Sequence, residues 1–460
     1  MVTRKKAAKA SGKFRSVPES DYRAKVRMYR QGLGDCFLVT LPRKSGKPYY
    51  ILIDCGVILG TQDAAAKMIS VVNDLIDTTN GHVDLLIATH EHWDHLSGFV
   101  QAKVAFSRLT VGEVWLAWTE DPSDVLAKKL RAEHQALRLA LASACARLRF
   151  GHGGVSLTDS MMEFFGAAGQ GTTGEALQNV KAFKPEKTRF CLPKDAPVKP
   201  DGTSTRLYIL GPPHDEKMIK KFNPSKSAPE TYGMAMSGLG PALTDFDAGA
   251  PFDPIVRIPF DVARQMPFFQ DYYWGEHPDS PSEHPEPREK DQSWRRIDGD
   301  WLDVSSGLAL QLDSATNNTS LVFAIELDDG DVLLFAADAQ VGNWLSWQQL
   351  SWSVDGRTVT GPDLLARTIL YKTGHHGSHN ATLREGGLEA MKKLQIAFIS
   401  VDHAMAVKKR WGKMPLEKLE ARLNQITNKC VLRIDQEIPA SMEKQVVQDK
   451  DKKLYYEVAV

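Results

Sequence analysis

Three histidines and an aspartate fall within six consecutive positions of the run Thr89-His90-Glu91-His92-Trp93-Asp94-His95-Leu96-Ser97-Gly98. The run follows Val83-Asp84-Leu85-Leu86-Ile87-Ala88, a largely apolar stretch that predicts a buried strand. Imidazoles this dense are awkward to bury unless something uses their lone pairs, and a metal ion does that. Side chains alternate along a strand, so His90 and His92 at its end point to one side and can share an ion. The chain is expected to turn into a helix at Asp94 and His95, which can then face a second ion. Imidazole and carboxylate suit zinc, and also manganese or iron. The plainer alternative is a polar turn that happens to be rich in histidine.

The surrounding sequence supplies a core for such a site. Alternating or apolar stretches predict strands at 24–29, 37–41, 49–53, 111–118, 203–210, 320–327, 332–336, 368–372, 396–401 and 431–433. The first three are joined by turn residues and predict a meander. Helices are expected over 62–77, 124–148, 343–350, 362–367 and 415–426. This is an α/β chain. Residues 1–23 read as a solvated basic tail, with Arg4, Lys5, Lys6, Lys9 and Lys13. From 24 to 460 a single large domain is expected, interrupted by insertions at about 119–200 and 215–305. In the second insertion proline, glycine and charge are frequent and periodicity fades, and His277 and His284 read as surface residues.

Bulk composition excludes some function classes. Lysine plus arginine and aspartate plus glutamate both number 57, so no global basic field draws the chain to nucleic acid and any such binding must rest on local patches. The five cysteines, Cys36, Cys55, Cys145, Cys191 and Cys430, are dispersed without a CxxC pair, which suits free thiols in a reducing compartment. No apolar run is long enough for a membrane helix and no secretory signal is evident, so the expected location is the cytoplasm.

The run from His90 to His95 is the complete His-x-His-x-Asp-His signature, and in it the sequence resembles the metallo-β-lactamase superfamily. Three further stretches look similar to the competence-associated (ComEC-like) branch: Gln31-Gly32-Leu33-Gly34-Asp35, Asn317-Asn318-Thr319-Ser320 and His375-His376-Gly377-Ser378. The resemblance covers about residues 25–100 and 316–435 and leaves the middle largely unmatched. It implies an αββα metallo-β-lactamase sandwich with one or two metal ions, zinc or manganese, at its rim. It also implies hydrolysis of a phosphodiester, on nucleic acid or a nucleotide.

A centre of that kind needs ligands beyond the opening run. Asp338 ends a hydrophobic strand, where its carboxylate can bridge two ions or merely cap the next helix. Of His375 and His376, His376 is favoured as the ligand because the following glycine lets the backbone approach closely. His375 is then free to hold substrate or leaving group. For the third histidine of the first ion, His214 after Gly211-Pro212-Pro213 is the first choice and His152 in Gly151-His152-Gly153-Gly154 the second. Asp54, ending another strand, can orient a ligand histidine or cap a turn. In the implied mechanism the ions ready a water molecule for attack, Asp94 and Asp338 orient it, and His375 or His403 protonates the leaving group. Lys408-Lys409-Arg410-Trp411-Gly412-Lys413 offers cations for phosphate and an indole for stacking, or is simply a solvated loop. Two other functions fit the same sequence. One is hydrolysis of an amide, lactone or thioester, and the other a non-catalytic metal-binding interaction module.

Overall fold

Short strands rich in valine, isoleucine, leucine and aromatic residues build the two sheets that carry the site. The computed structural model describes residues 21–150, 172–225, 230–231, 258, 260–263, 265–269, 312–409, 411, 414–449 and 453–460. The basic tail to residue 20, His152, most of the 215–305 stretch with His277 and His284, and Arg410, Gly412 and Lys413 lie outside these residues. The chain divides into two compact units, one of 1–132, 162–236 and 313–460 and one of 133–161 and 237–312. In the second unit the described residues are mainly helical, in the later part of helix Val125–Phe150 and the short helices Phe260–Ala263 and Pro267–Phe269.

The first unit is mixed α/β. Its strands are β1 (Lys25–Tyr29), β2 (Phe37–Leu41), β3 (Tyr49–Ile53), β4 (His82–Ile87), β5 (Thr110–Ala117), β6 (Thr188–Cys191), β7 (Arg206–Gly211), β8 (Val322–Glu326), β9 (Val332–Phe335), β10 (Ser351–Val354), β11 (Arg357–Thr360), β12 (Thr368–Lys372), β13 (Ile396–Ile399), β14 (Val431–Arg433), β15 (Val446–Gln448) and β16 (Tyr455–Ala459). One sheet of eight strands has the order β15-β16-β1-β2-β3-β4-β5-β6, and one of six has the order β14-β13-β12-β9-β8-β7. Both are mixed. The meander β1-β2-β3 is antiparallel, whereas β3, β4, β5 and β6 run parallel. In the second sheet β9, β12, β13 and β14 are parallel, and the β7-β8-β9 edge is antiparallel.

Alternation along the strands sorts the apolar side chains into three clusters. Val26, Phe37, Ile51, Leu85 and Trp115 of the larger sheet share one cluster with Phe323, Phe335, Leu370, Phe398 and Leu432 of the smaller. Phe37 makes an edge contact with Phe335 and stacks on Phe398, so the two sheets face one another. The opposite face of the larger sheet packs on helix Ala64–Thr79 through Met68, Val71, Val72 and Leu75. The opposite face of the smaller sheet packs on Trp344, Trp347, Leu364, Leu365, Leu419 and Leu423, from helices Val341–Trp347, Gly361–Ala366 and Glu417–Ile426.

Three parts of this architecture were missed in the sequence. Strand β6 lies within the stretch 119–200, where no strand was expected, yet it extends the larger sheet beside β5. Toward the other edge, β16 pairs along the whole of β1 and β15 lies outside it, and neither strand was expected. Tyr455-Tyr456-Glu457-Val458-Ala459 does alternate in burial, but it follows a polar segment. The β10-β11 hairpin turns at Asp355-Gly356, both at positive φ, a dipeptide that favours such turns.

Parallel strands present their carboxyl ends on one edge, where α/β sheets generally bind ligands. Asp54 follows β3, His90 follows β4, Asp338 follows β9, His375 and His376 follow β12, and Ser400 follows β13. Groups from distant parts of the chain are therefore delivered to one place by two sheets.

Candidate metal centre

The loop from His90 leads directly into a one-turn helix, Trp93–Leu96, which buries Asp94 and His95. Backbone contacts fix that loop from below. Asp35 N–H donates to the Asp94 carbonyl at 3.0 Å, and Cys55 N–H donates to the His95 carbonyl at 2.8 Å. Gly34 permits the first approach: it has φ +144°, and a Cβ there would stand 2.5 Å from the Asp94 carbonyl oxygen. The opposite wall is the turn Gly374–Gly377, in which His375 and His376 both adopt left-handed backbone, at φ 41° and 51°. Such strain costs about 1–3 kcal/mol per residue and persists only where the surroundings impose it. Here His375 N–H donates to the Ala337 carbonyl at 2.9 Å, and Leu416 N–H donates to the Gly377 carbonyl at 2.9 Å.

The histidines share one arrangement, a nitrogen turned outward and one turned inward. The Thr89 hydroxyl donates its proton to Asp54 Oδ2 at 2.6 Å, so toward His90 Nδ1, 3.0 Å away, it acts as acceptor. That leaves His90 Nε2 facing inward, 3.1 Å from His92 Nδ1. His95 Nδ1–H donates to Asp54 Oδ2 at 2.7 Å. Its Nε2 faces Asp338 Oδ2 at 3.3 Å. His376 Nδ1–H donates to the Ser400 carbonyl at 2.9 Å, while Nε2 lies 3.0 Å from Asp94 Oδ2 and 3.5 Å from Asp338 Oδ2. Outward hydrogen bonds of this type set tautomer and ring orientation in metal-binding histidines.

Two cation-sized groups result, Asp94-His95-Asp338-His376 and His90-His92-Asp338, with Asp338 common to both. All of these residues are buried. Asp338 is not a helix cap, since Gln340 occupies that position for the following helix. A third group, Asp35-Asp54-His95, lies behind His95, where Asp54 already engages its outward nitrogen.

Burial pushes His90 well below the ordinary imidazole value, with His95 and His92 adding to the effect. It also pushes His92 and His375 down to about 4. For His95, burial opposes the charge but is outweighed by Asp338, Asp35, Asp54 and Asp94, which hold the ring well above its ordinary value. His376 is raised likewise, burial being overcome by Asp338, Asp94 and Asp35. Burial opposes the charges of Asp94 and Asp338 as well, yet His95 and His376 keep both carboxyls below the usual range.

The residues fit divalent cations on two counts. Two ligand residues have a buried polar atom without a hydrogen-bond partner: His95 at its inward Nε2 and Asp338 at Oδ1. The charges also call for cations. Asp35, Asp54, Asp94 and Asp338 are all buried, and one buried ammonium, Lys372, pairs with Asp35 and Asp338, while burial, Asp94 and Asp338 push the Asp313 carboxyl well above the usual range.

The first prediction follows from the raised imidazoles. With no cation bound, His95 and His376 hold their protons to higher pH than a free imidazole does, and a cation needs their Nε2 lone pairs. Binding must expel those protons, so affinity rises with pH until the raised values are passed. Calorimetric titration in buffers of different ionisation enthalpy should show proton release. Heats independent of the buffer would contradict it.

Not every candidate joins the centre. His214 stands apart from both cation groups: its Nε2 bonds Asp124 Oδ2 at 2.9 Å and its ring lies edge-on to Trp118. The strand end carries it to the surface rather than inward. His403 is exposed at the start of helix His403–Lys408, with Nδ1–H donating to the Met414 carbonyl at 2.9 Å. His375 borders the centre without joining either group, its Nε2 3.8 Å from Asp338 Oδ2. Trp411 packs partly against the apolar cluster under the smaller sheet, and Lys408 is exposed. Lys372, Asp35 as its partner, and Asp313 were missed as site residues in the sequence. A lysine ending an apolar strand is a signal for the first. Asp313 and Asn317, four apart in a helical stretch, share a face and are the signal for the last.

No protein-family model matches this chain, and no curated protein is significantly similar to it.

Proposed function

We propose that this chain is a metal-dependent hydrolase of the metallo-β-lactamase superfamily, with an αββα sandwich, and that it cleaves phosphodiester bonds. The observation that carries the reading is the convergence of inward nitrogens from His90, His92, His95 and His376 on the shared Asp338 carboxylate. Two facing mixed sheets with helices on their outer faces support the fold assignment. The phosphodiester assignment rests on the likeness of the 31–35, 317–320 and 375–378 stretches to the ComEC-like branch.

Bound zinc or manganese would supply Lewis acidity to polarise a phosphoryl oxygen and would lower the pKa of a water molecule toward neutrality. His90, His92 and Asp338 would hold one ion, and Asp94, His95, Asp338 and His376 the other. The protein's part is to fix these groups. Asp54 and Thr89 hold His95 and His90 in the tautomers that keep Nε2 inward, and the Ser400 carbonyl does the same for His376. His375, neutral at pH 7 with its Nδ1 unpartnered, is placed to hydrogen-bond the leaving oxygen. Among the described residues no helix is long and apolar enough to cross a membrane.

The test is elemental analysis of the purified chain, followed by assay on generic phosphodiesters beside a β-lactam and acyl-thioester panel. One or two zinc or manganese ions per chain are expected, with phosphodiester turnover that a chelator abolishes. Absence of phosphodiester turnover with any metal overturns the substrate assignment, and absence of stoichiometric metal overturns the hydrolase reading itself.

A further inference from the structure

Three of the four inward-facing histidines rest their outward nitrogen on an oxygen: Thr89 for His90 at 3.0 Å, Asp54 for His95 at 2.7 Å and Ser400 for His376 at 2.9 Å. His92 departs from this pattern. Its Nδ1 is the inward atom, 3.1 Å from His90 Nε2, and its outward Nε2 is buried without a hydrogen-bond partner. Asp313 Oδ1 stands 3.7 Å from that nitrogen.

Asp313 is itself an unusual residue to bury. Its described contacts include no lysine or arginine. Its other oxygen, Oδ2, accepts from Asn317 Nδ2–H at 3.1 Å, which leaves Oδ1 to face His92. Asp313 joins neither cation group, so its carboxylate stands behind the histidine rather than among the ligand atoms. Asn317 Nδ2 also lies 3.3 Å from His375 Nε2, so a single helical turn links His92 on one side of the centre to His375 on the other.

We propose that Asp313 is the positioning residue for His92. Its Oδ1 accepts Nε2–H, which keeps the Nδ1 lone pair directed at the ion held with His90 and Asp338, and so sets the affinity of that ion. The proposal rests on reading the cluster as a metal centre. It supplies the fourth member of a set whose other three members already have their partners, and it gives a role to a buried carboxyl that no lysine or arginine contacts among the described residues. Carboxylates in this position make a ligand imidazole more basic, and their removal typically costs roughly 10–100-fold in metal affinity.

The experiment uses the full chain, with zinc or manganese titrated against a chromophoric chelator and the histidine ring nitrogens of the zinc-loaded protein observed by 15N NMR. Asp313→Ala is expected to weaken one of the two ions by roughly 10–100-fold and leave the other in place. Asp313→Asn, whose amide oxygen can still accept Nε2–H, should recover much of the loss. In the unmodified protein His92 should appear as the Nε2–H tautomer with Nδ1 bound to metal, a readout that needs no variant to fold. Unchanged affinity for both ions in Asp313→Ala, or His92 ligating through Nε2, overturns the proposal and leaves the metal centre standing. No stoichiometric ion in the unmodified protein overturns both.

Discussion

Replacing Asp338 with asparagine should abolish binding of both cations while leaving the fold intact. Asp338 Oδ2 lies 3.3 Å from His95 Nε2, 3.5 Å from His376 Nε2 and 3.9 Å from His90 Nε2, so it belongs to each ligand group. Asparagine retains the shape and the backbone bond in which Asp338 N–H donates to the Ser320 hydroxyl at 3.1 Å. What it removes is the one negative charge common to both positions. A metal contributes several kcal/mol of charge stabilisation in hydrolysis. At about 1.36 kcal/mol per tenfold, its loss predicts a fall of about 10³-fold or more in the phosphodiester turnover proposed for this chain. Metal analysis after dialysis, turnover and circular dichroism would be measured together. A variant that keeps two ions and normal turnover would show that Asp338 bridges nothing.

How much of this was legible beforehand depended on where each group sits relative to regular structure. His90, His92, Asp94 and His95 stand on one strand end and one helical turn, and both have side-chain periodicities that a sequence reveals. Asp338 and His376 likewise follow apolar strands, so their place at a sheet edge was open to inference. The position of His214 was not. It also follows a strand, β7, but that strand is the outermost of its sheet, and edge position depends on strand order that periodicity does not carry. Strands β6 and β16 were lost for a related reason, because both add to the larger sheet through pairings set by tertiary packing. Asp313 was hidden for another. It lies just beyond a long aperiodic stretch, and its meaning appears only once His92 is seen to lack a partner on one nitrogen.

Lys372 raises a different issue, since it ties the stability of the core to the charge of the centre. Strand alternation puts it on the same face as Leu370, which is part of the cluster between the two sheets. An ammonium at that depth must be paired. Its Nζ lies 2.5 Å from Asp35 Oδ2 and 3.6 Å from Asp338 Oδ1, and it donates to the Ala337 carbonyl at 3.1 Å. Burial opposes the charge, but Asp35 and Asp338 outweigh it and raise the lysine above its ordinary value, so it stays protonated at neutral pH. Lys372→Met preserves most of the volume and leaves the buried Asp35 with the Ser400 hydroxyl but without its ammonium, which predicts a loss of about 3–5 kcal/mol in stability. Removing the partner charge as well, in Lys372→Met combined with Asp35→Asn, should restore part of that loss, because an unpaired buried charge costs more than a missing pair. Saturating divalent cation should also narrow the deficit, by offsetting the Asp338 carboxylate that the lysine no longer faces. Denaturant unfolding of the single and double variants, with and without cation, measures all three terms. If Lys372→Met unfolds within about 1 kcal/mol of the unmodified chain, below the cost of breaking a buried pair, the ammonium is not holding these carboxylates in place.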